Sequence, residues 1–317
     1  MTTVAEWLGR LRPGRKPDAV SAVFLPYDAA GKMDLAGFRR HLLRTHKAGL
    51  RPALNMDTGF GPELTPAERR DVLRVTVEAL GPGVSFVAGV MPFGEDPDPM
   101  KGYLKSIESV VRAGGTPIIF PSPFLAGADV PAVYRALAGA APAILGFELG
   151  PQFAPFGRIF DLDTVAALMA IPNLSGLKHS SLSRESEMAR LELRDRLRPE
   201  FRIYTGNDLA IDMIMYGSDY LLGLSTFDPD SFALRDDLWA AGDPRFYALN
   251  DALQAVGFAA FRDPVPAYKH SAAVYLKEDG RLPDPHPHAA CTRRPDWEAE
   301  LLAPLAALVR RAATAAT

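Results

Sequence analysis

The chain has 317 residues, 48 % hydrophobic and 23 % charged, with a formal net charge of −3. That is the composition of a soluble globular protein with one large α/β domain or two ordinary ones, and it carries no basic footprint for nucleic acid. The single cysteine, Cys291, excludes an intrachain disulfide, no apolar run approaches the ~18 residues that span a bilayer, and residues 1–7 lack a signal-peptide pattern, so a reduced cytoplasmic setting is the expectation.

Residues 5–11 read as a short lead helix closed by Pro13-Gly14. Residues 19–25 form the first expected strand, ended by Pro26. Residues 34–48 are helical in pattern, with Leu35, Phe38, Leu42 and Leu43 on one face and Gly49 at the end. A second strand, 52–56, leads into the loop that starts Asp57-Thr58-Gly59. Thr65-Pro66-Ala67-Glu68 then spells a capping box with proline at the first helical position, and that helix runs to about Leu80. Residues 84–90 are the third strand. The stretch 91–99 is a loop, followed by a helix to Ala113. The fourth strand is 117–120, then a helix 130–140 and the fifth strand 143–149. A long loop runs to Phe160, and 163–170 is helical. The sixth strand lies within Asn173-Leu-Ser-Gly-Leu-Lys-His-Ser-Ser181, followed by a charged helix 183–197 capped by Ser183. Residues 201–205 are the seventh strand, with a helix to Tyr216, and 220–224 the eighth. The remainder, 243–317, holds three helical patterns, of which 264–276 and 297–313 are the clearest. A proline-rich surface loop, 280–295, separates those two.

Strand and helix alternate eight times between about 19 and 240, which implies parallel pairing. Eight such units predict an α/β (β/α)8 TIM barrel with a C-terminal helical extension. The expected organisation is a lead segment 1–18, a barrel 19–240 and a helical region 241–317. The alternative is an open doubly wound sheet, against which stands the lack of a Gly-x-Gly-x-x-Gly opening a helix.

A barrel of this kind carries its site at the carboxyl ends of the strands. The residues to weigh are then Pro26-Tyr27, Asp57-Thr58-Gly59, Pro121-Ser122, Phe147-Glu148, Lys178-His179, Gly206-Asn207 and Ser225-Thr226. The set is rich in hydroxyls and holds one lysine. An exposed lysine titrates near 10.4, whereas burial disfavours the ammonium and frees the amine to attack a carbonyl. Lys178 is the lysine set deepest in strand-like sequence. It reads either as an imine-forming nucleophile or as a strand-end lysine that reaches back to solvent.

Here the chain resembles the dihydrodipicolinate synthase / N-acetylneuraminate lyase superfamily. Residues 19–230 match its motifs in order, and 264–276 resembles its C-terminal helical region. Val23-Phe-Leu-Pro-Tyr27 with Gly31-Lys-Met-Asp34 is similar to the family's opening strand and turn. Met56-Asp57-Thr58-Gly59 falls on the Gly-Thr-Thr-Gly loop that holds a substrate carboxylate. Gly176-Leu177-Lys178 falls on the Gly-Ile-Lys of the Schiff-base lysine. Gly206-Asn207-Asp208 is similar to Gly-Asp-Asp, and Tyr216-Gly217-Ser218 to the step before strand eight. The resemblance implies a class I lyase acting on a 2-oxo acid such as pyruvate or a sugar-acid derivative. It implies no metal or organic cofactor, and a homo-oligomer, commonly a tetramer. Two departures are plain. The family's strand-five tyrosine is absent from Gly146-Phe-Glu-Leu-Gly-Pro151, and Asp57 replaces a threonine, where its charge would repel a substrate carboxylate. Both point away from dihydrodipicolinate synthesis itself. They leave open another 2-oxo acid, a different acid/base group, or a noncatalytic binding or regulatory relative.

Glu148 is a candidate general acid/base in place of that tyrosine, or else a strand-end carboxylate paired with an arginine. Asp57 is read as orienting a substrate hydroxyl or ammonium, or as capping loop amides. Thr58 and Gly59 would offer a hydroxyl and a backbone N–H. Asn207 and Ser225 either line the pocket or close turns. The resemblance brings in Arg158 as a carboxylate clamp. Strand alternation turns His179 to the helices, and Asp284, His286 and His288 read as an exposed loop rather than a metal site. A carboxylate-pair hydrolase using Glu148 and Asp57 is a further alternative.

Overall fold

A computed structural model describes residues 4–92 and 97–317; residues 93–96 of the expected 91–99 loop lie outside the described residues. The elements run α1 Val4–Leu8, β1 Ala19–Ala22, α2 Leu35–Lys47, β2 Arg51–Leu54, α3 Pro66–Leu80, β3 Val87–Val90, α4 Pro99–Arg112 and β4 Thr116–Ile119. They continue α5 Pro123–Ala126, α6 Val130–Ala138, β5 Ile144–Leu149, α7 Leu162–Met169, β6 Leu174–Ser180, α8 Arg184–Leu197, β7 Arg202–Thr205 and β8 Asp219–Leu222. Four helices follow: α9 Pro229–Ala241, α10 Arg245–Ala260, α11 Tyr268–Glu278 and α12 Glu298–Ala316.

All eight strands pair in parallel and in chain order, and β1 closes on β8 with Val20 opposite Leu221. Closure excludes the open-sheet alternative. Side-chain alternation sorts each strand into two cores. Val20, Ala53, Val87, Ile118, Leu145, Phe147, Tyr204 and Leu221 fill the inside of the ring. Leu54, Ala88, Ile119, Ile144, Leu177, Ile203 and Tyr220 face outward into the helical layer. Strands sandwiched in this way read as near-continuous apolar runs, and β3, β5 and β8 are buried at every position.

The local signals act as their chemistry dictates. Thr65 accepts from the Glu68 amide while the Glu68 carboxylate accepts from the Thr65 amide, a complete capping box at α3. Ser183 caps α8 through the Ser186 amide. Several boundaries differ from the sequence reading. The third strand begins at Val87, and the expected helix after β7 is a 3-10 turn, Ile211–Tyr216. The helix expected over 264–276 opens as a 3-10 turn, Val265–Ala267, because Pro264 and Pro266 have no amide for an α-helical ladder; α11 starts only at Tyr268. Arg294 fixes that start by donating to the carbonyls of Ala260, Arg262 and Asp263. Buried Glu298 accepts from Arg262 and Ser271 nearby. These bonds brace the extension internally.

Leu177 is fully buried beside Lys178, whereas Leu197 is 56 % exposed at the end of α8. Urea denaturation should show Leu177→Ala losing about 2–5 kcal/mol, the range for truncating a core leucine. Leu197→Ala should stay within about 0.5 kcal/mol of the unchanged protein.

Candidate active site

The geometry begins with β6. Gly176 lets the strand lie close to β7: a Cβ there would meet the Arg202 carbonyl oxygen at 2.7 Å and the Tyr204 ring at 2.8 Å. Two residues on, Lys178 points into the ring, with Phe147 and Tyr204 as its register partners on the flanking strands. Its Nζ lies 4.0 Å from the centre of the Phe147 ring. Around it is a narrow pocket. Its lining includes the apolar Met56, Phe147, Leu149, Phe153 and Phe261 and the polar Asp57, Thr58, Ser180, Asp208 and Tyr268. Gly206 leaves room for the amine's stem, since a Cβ there would sit 3.0 Å from Lys178 Cε and 2.1 Å from Ser180 Oγ. The Ser180 hydroxyl is buried without a hydrogen-bond partner among the described residues.

Burial drives the Lys178 pKa below the ordinary lysine value, and the carboxylates of Asp208 and Asp57 oppose that shift. Asp208 moves the other way: burial raises its pKa, while backbone amides and Lys178 hold it down. One Asp208 oxygen is fixed by the Leu224 amide at 2.7 Å.

Across the pocket, α11 brings two side chains to the 3-10 turn Asp57–Gly59. The Tyr268 hydroxyl donates to one Asp57 oxygen at 2.8 Å, and Lys269 Nζ to the other at 3.0 Å. Tyr268 also lies 2.9 Å from the Thr58 hydroxyl. Burial raises the Asp57 pKa, but Lys269 and the Tyr268 hydrogen bond outweigh it and the net shift is downward. Asp57 is therefore an anion paired with a buried cation, which also lies 3.8 Å from the Glu63 carboxylate. Lys269 thereby offsets part of the charge expected to repel a substrate carboxylate.

Lys178, Asp57 and Thr58 are thus brought together as the sequence indicated. Other candidates are not. Glu148 faces the helices: it is 0 % exposed, bonded to Arg190, to His179 Nδ1 at 2.6 Å and to the Phe160 amide at 2.7 Å. The period-two alternation that aims Phe147 and Lys178 inward turns Glu148 and His179 outward, so Glu148 is neither the acid/base group nor a partner of Asp57 in a hydrolytic pair. The Gly59 amide is used by the Met56 carbonyl, and a Cβ at Gly59 would lie 2.9 Å from the Val23 carbonyl oxygen. Asn207 closes a turn, its Oδ1 accepting from the Leu209 amide, and leaves the pocket wall to Asp208. The Ser225 hydroxyl is tied to Ser21 and the Leu222 carbonyl under β1. Arg158 is exposed, with its guanidinium 6.0 Å from the Phe160 ring, and lines a separate hollow with Ser122 and Phe156. His288 packs on Tyr27, and His286 pairs with Asp284.

Tyr268, Lys269, Asp208 and Ser180 were missed by sequence reasoning. Asp208 stood one residue from the chosen Asn207. Nothing in sequence spacing links α11 to β2.

No family model matches the chain. A 4-hydroxy-tetrahydrodipicolinate synthase of Synechococcus sp. (strain CC9311) is 30 % identical over 212 residues, covering 63 % of this chain and 65 % of that protein. The chain therefore spans slightly under two thirds of that relative. The protein of the same description from Xylella fastidiosa is 28 % identical over 242 residues, 71 % of this chain and 73 % of its own. Among solved structures, the 4-hydroxy-tetrahydrodipicolinate synthase of Methylacidiphilum fumariolicum SolV superposes with a TM-score of 0.78 at 16 % identity, covering 95 % of this chain and 98 % of that one. A catalytic lysine mutant of Ruminococcus gnavus sialic acid aldolase gives 0.77 at 15 % identity, covering 100 % of both chains. At these identities the structural likeness establishes the fold.

Replacing Glu148 by Gln strips the buried Arg190 of its counter-charge. The expected loss in chemical denaturation is about 3–5 kcal/mol, the range for breaking a buried pair. The partners hold the folded Glu148 pKa below the ordinary 4.5. Its stabilisation is thus complete above that value and is lost as pH falls through the folded pKa, so the deficit of Glu148→Gln should shrink in acid.

Proposed function

We propose that this chain is a member of the dihydrodipicolinate synthase / N-acetylneuraminate lyase superfamily and a Schiff-base lyase in which Lys178 condenses with the oxo group of a 2-oxo acid. The observation that carries the reading is the burial of that one amine in the mouth of a closed barrel, with its pKa lowered and a carbonyl-sized pocket before it. The Ruminococcus gnavus aldolase of the same fold has a catalytic lysine. That supports the assignment and leaves the substrate to chemistry.

The amine attacks as the free base, and Asp208 is the group beside it able to take its proton. Loss of water gives a protonated imine, an electron sink that permits aldol cleavage, condensation or dehydration at the neighbouring carbons. Ser180, whose hydroxyl has no partner among the described residues, supplies a hydroxyl to the substrate. The Asp57–Lys269 pair makes that side of the pocket close to neutral, compatible with a substrate carboxylate or hydroxyl. The apolar wall of Met56, Leu149, Phe153 and Phe261 excludes water from the imine. No metal or organic cofactor enters this scheme. A homo-oligomer and a cytoplasmic setting follow from the proposed family membership and stand as part of the proposal; among the described residues no helix is long and apolar enough to cross a membrane. A noncatalytic 2-oxo acid binder on the same barrel is the alternative, and turnover separates the two.

Borohydride with pyruvate should leave one reduced adduct on Lys178 by peptide mass spectrometry, and none in Lys178→Ala. An unmodified Lys178 overturns the imine. Because burial disfavours the ammonium, the trapping rate should rise with pH through a midpoint below the ordinary lysine value of 10.5. Gly206→Ala should slow trapping at every pH by crowding Lys178 Cε and Ser180 Oγ, while far-UV circular dichroism stays unchanged.

A further inference from the structure

We propose that Tyr268, delivered by the C-terminal extension, is the acid/base group of this site and passes a proton between the substrate carbon and Asp57. The inference rests on the reading that Lys178 forms the imine.

Tyr268 is the only tyrosine lining the Lys178 pocket among the described residues. Its ring is fixed by stacking on Phe261 at 4.4 Å and an interplanar angle of 15°, and it is 3 % exposed. Gly223 admits it, since a Cβ there would lie 3.0 Å from the ring and 3.1 Å from Thr58 Oγ1. The hydrogen-bond directions are then forced. An ionised carboxylate only accepts, so Tyr268 gives its one proton to Asp57, and the Thr58 hydroxyl donates to the Tyr268 oxygen. Lys269 donates to the far Asp57 oxygen and keeps it ionised. The four groups form a wire pointing one way, Thr58 to Tyr268 to Asp57, with Lys269 at the end. Leu149 occupies the inward position at the end of β5 and offers no proton. Asp208 accepts from the Leu224 amide and the field of Lys178 favours its charge.

The step balances. The C–H bond next to the iminium breaks, and its electron pair becomes the C=C of an enamine while the iminium π pair moves onto nitrogen. The proton goes to the Tyr268 oxygen as the tyrosine's own proton moves to Asp57. The iminium cation and the Asp57 anion are both neutralised, a change that a water-poor pocket favours, and Lys269 retains Glu63 at 3.8 Å as its counter-charge. That offsets the low basicity Lys269 imposes on Asp57.

The test uses the intact chain and pyruvate in D2O, following loss of the methyl proton signal by NMR beside borohydride trapping. The unchanged protein should both trap and exchange. Tyr268→Phe keeps the ring stack and should still trap pyruvate on Lys178, with exchange lower by about 100-fold or more, the usual contribution of a positioned acid/base group. Asp57→Asn keeps the tyrosine, removes the proton acceptor, and should show the same split; it carries the test if the Phe variant does not fold. Exchange at the original rate in either variant overturns the proposal. So does parallel loss of trapping and exchange in folded Tyr268→Phe, which would make Tyr268 structural. If the unchanged protein neither traps nor exchanges, the Lys178 reading itself fails, an outcome distinct from failure of Tyr268 alone.

Discussion

Everything at the mouth of this barrel is arranged around the cost of burying one amine. An ammonium removed from water is strongly disfavoured, and the chain meets that in two ways. Lys178 loses part of its affinity for the proton, and Asp208 and Asp57 stand close enough to hold the charge when it is present. Either carboxylate unpaired would itself be unstable in so apolar a setting. Asp208 responds by moving toward neutrality, while Asp57 recruits Lys269. The outcome is a site with charges of both signs but little net charge, and a lysine ready to react.

The barrel wall separates two polar systems that sequence order interleaves. On the inner side are Lys178 and Ser180, and on the outer side His179 with Glu148 and Arg190. The outer cluster clamps β5, β6 and α8 together, and with them the strand bearing the amine. Its glutamate is fully buried and fully bonded, which suits a structural ion pair and leaves no free oxygen for substrate chemistry. The same two-residue period that gives the site its nucleophile also removes Glu148 from it.

The C-terminal extension is part of the site. Arg294 grips the turn before α11, and α11 then projects Tyr268 and Lys269 onto the Asp57 turn. The family resemblance left an unfilled place at the end of β5, where Leu149 stands. A tyrosine from a distant helix lines the same pocket. A site so assembled depends on docking of the extension as well as on closure of the ring.

The eight-fold strand–helix alternation, the Thr65 and Ser183 caps and the inward lysine at Gly176-Leu177-Lys178 were legible in the sequence, because they rest on local periodicity and local hydrogen bonding. Thr58 and Asp57 were legible through their place after β2. The inward or outward sense of Glu148, the one-residue choice between Asn207 and Asp208, and the tying of the Gly59 amide and Ser225 hydroxyl were not. Those depend on register and on which backbone groups a turn consumes. Tyr268 and Lys269 lie more than 200 residues from Asp57. Only packing of the extension across the mouth brings them there, since periodicity reports which face of a helix is buried but not which partner it is buried against.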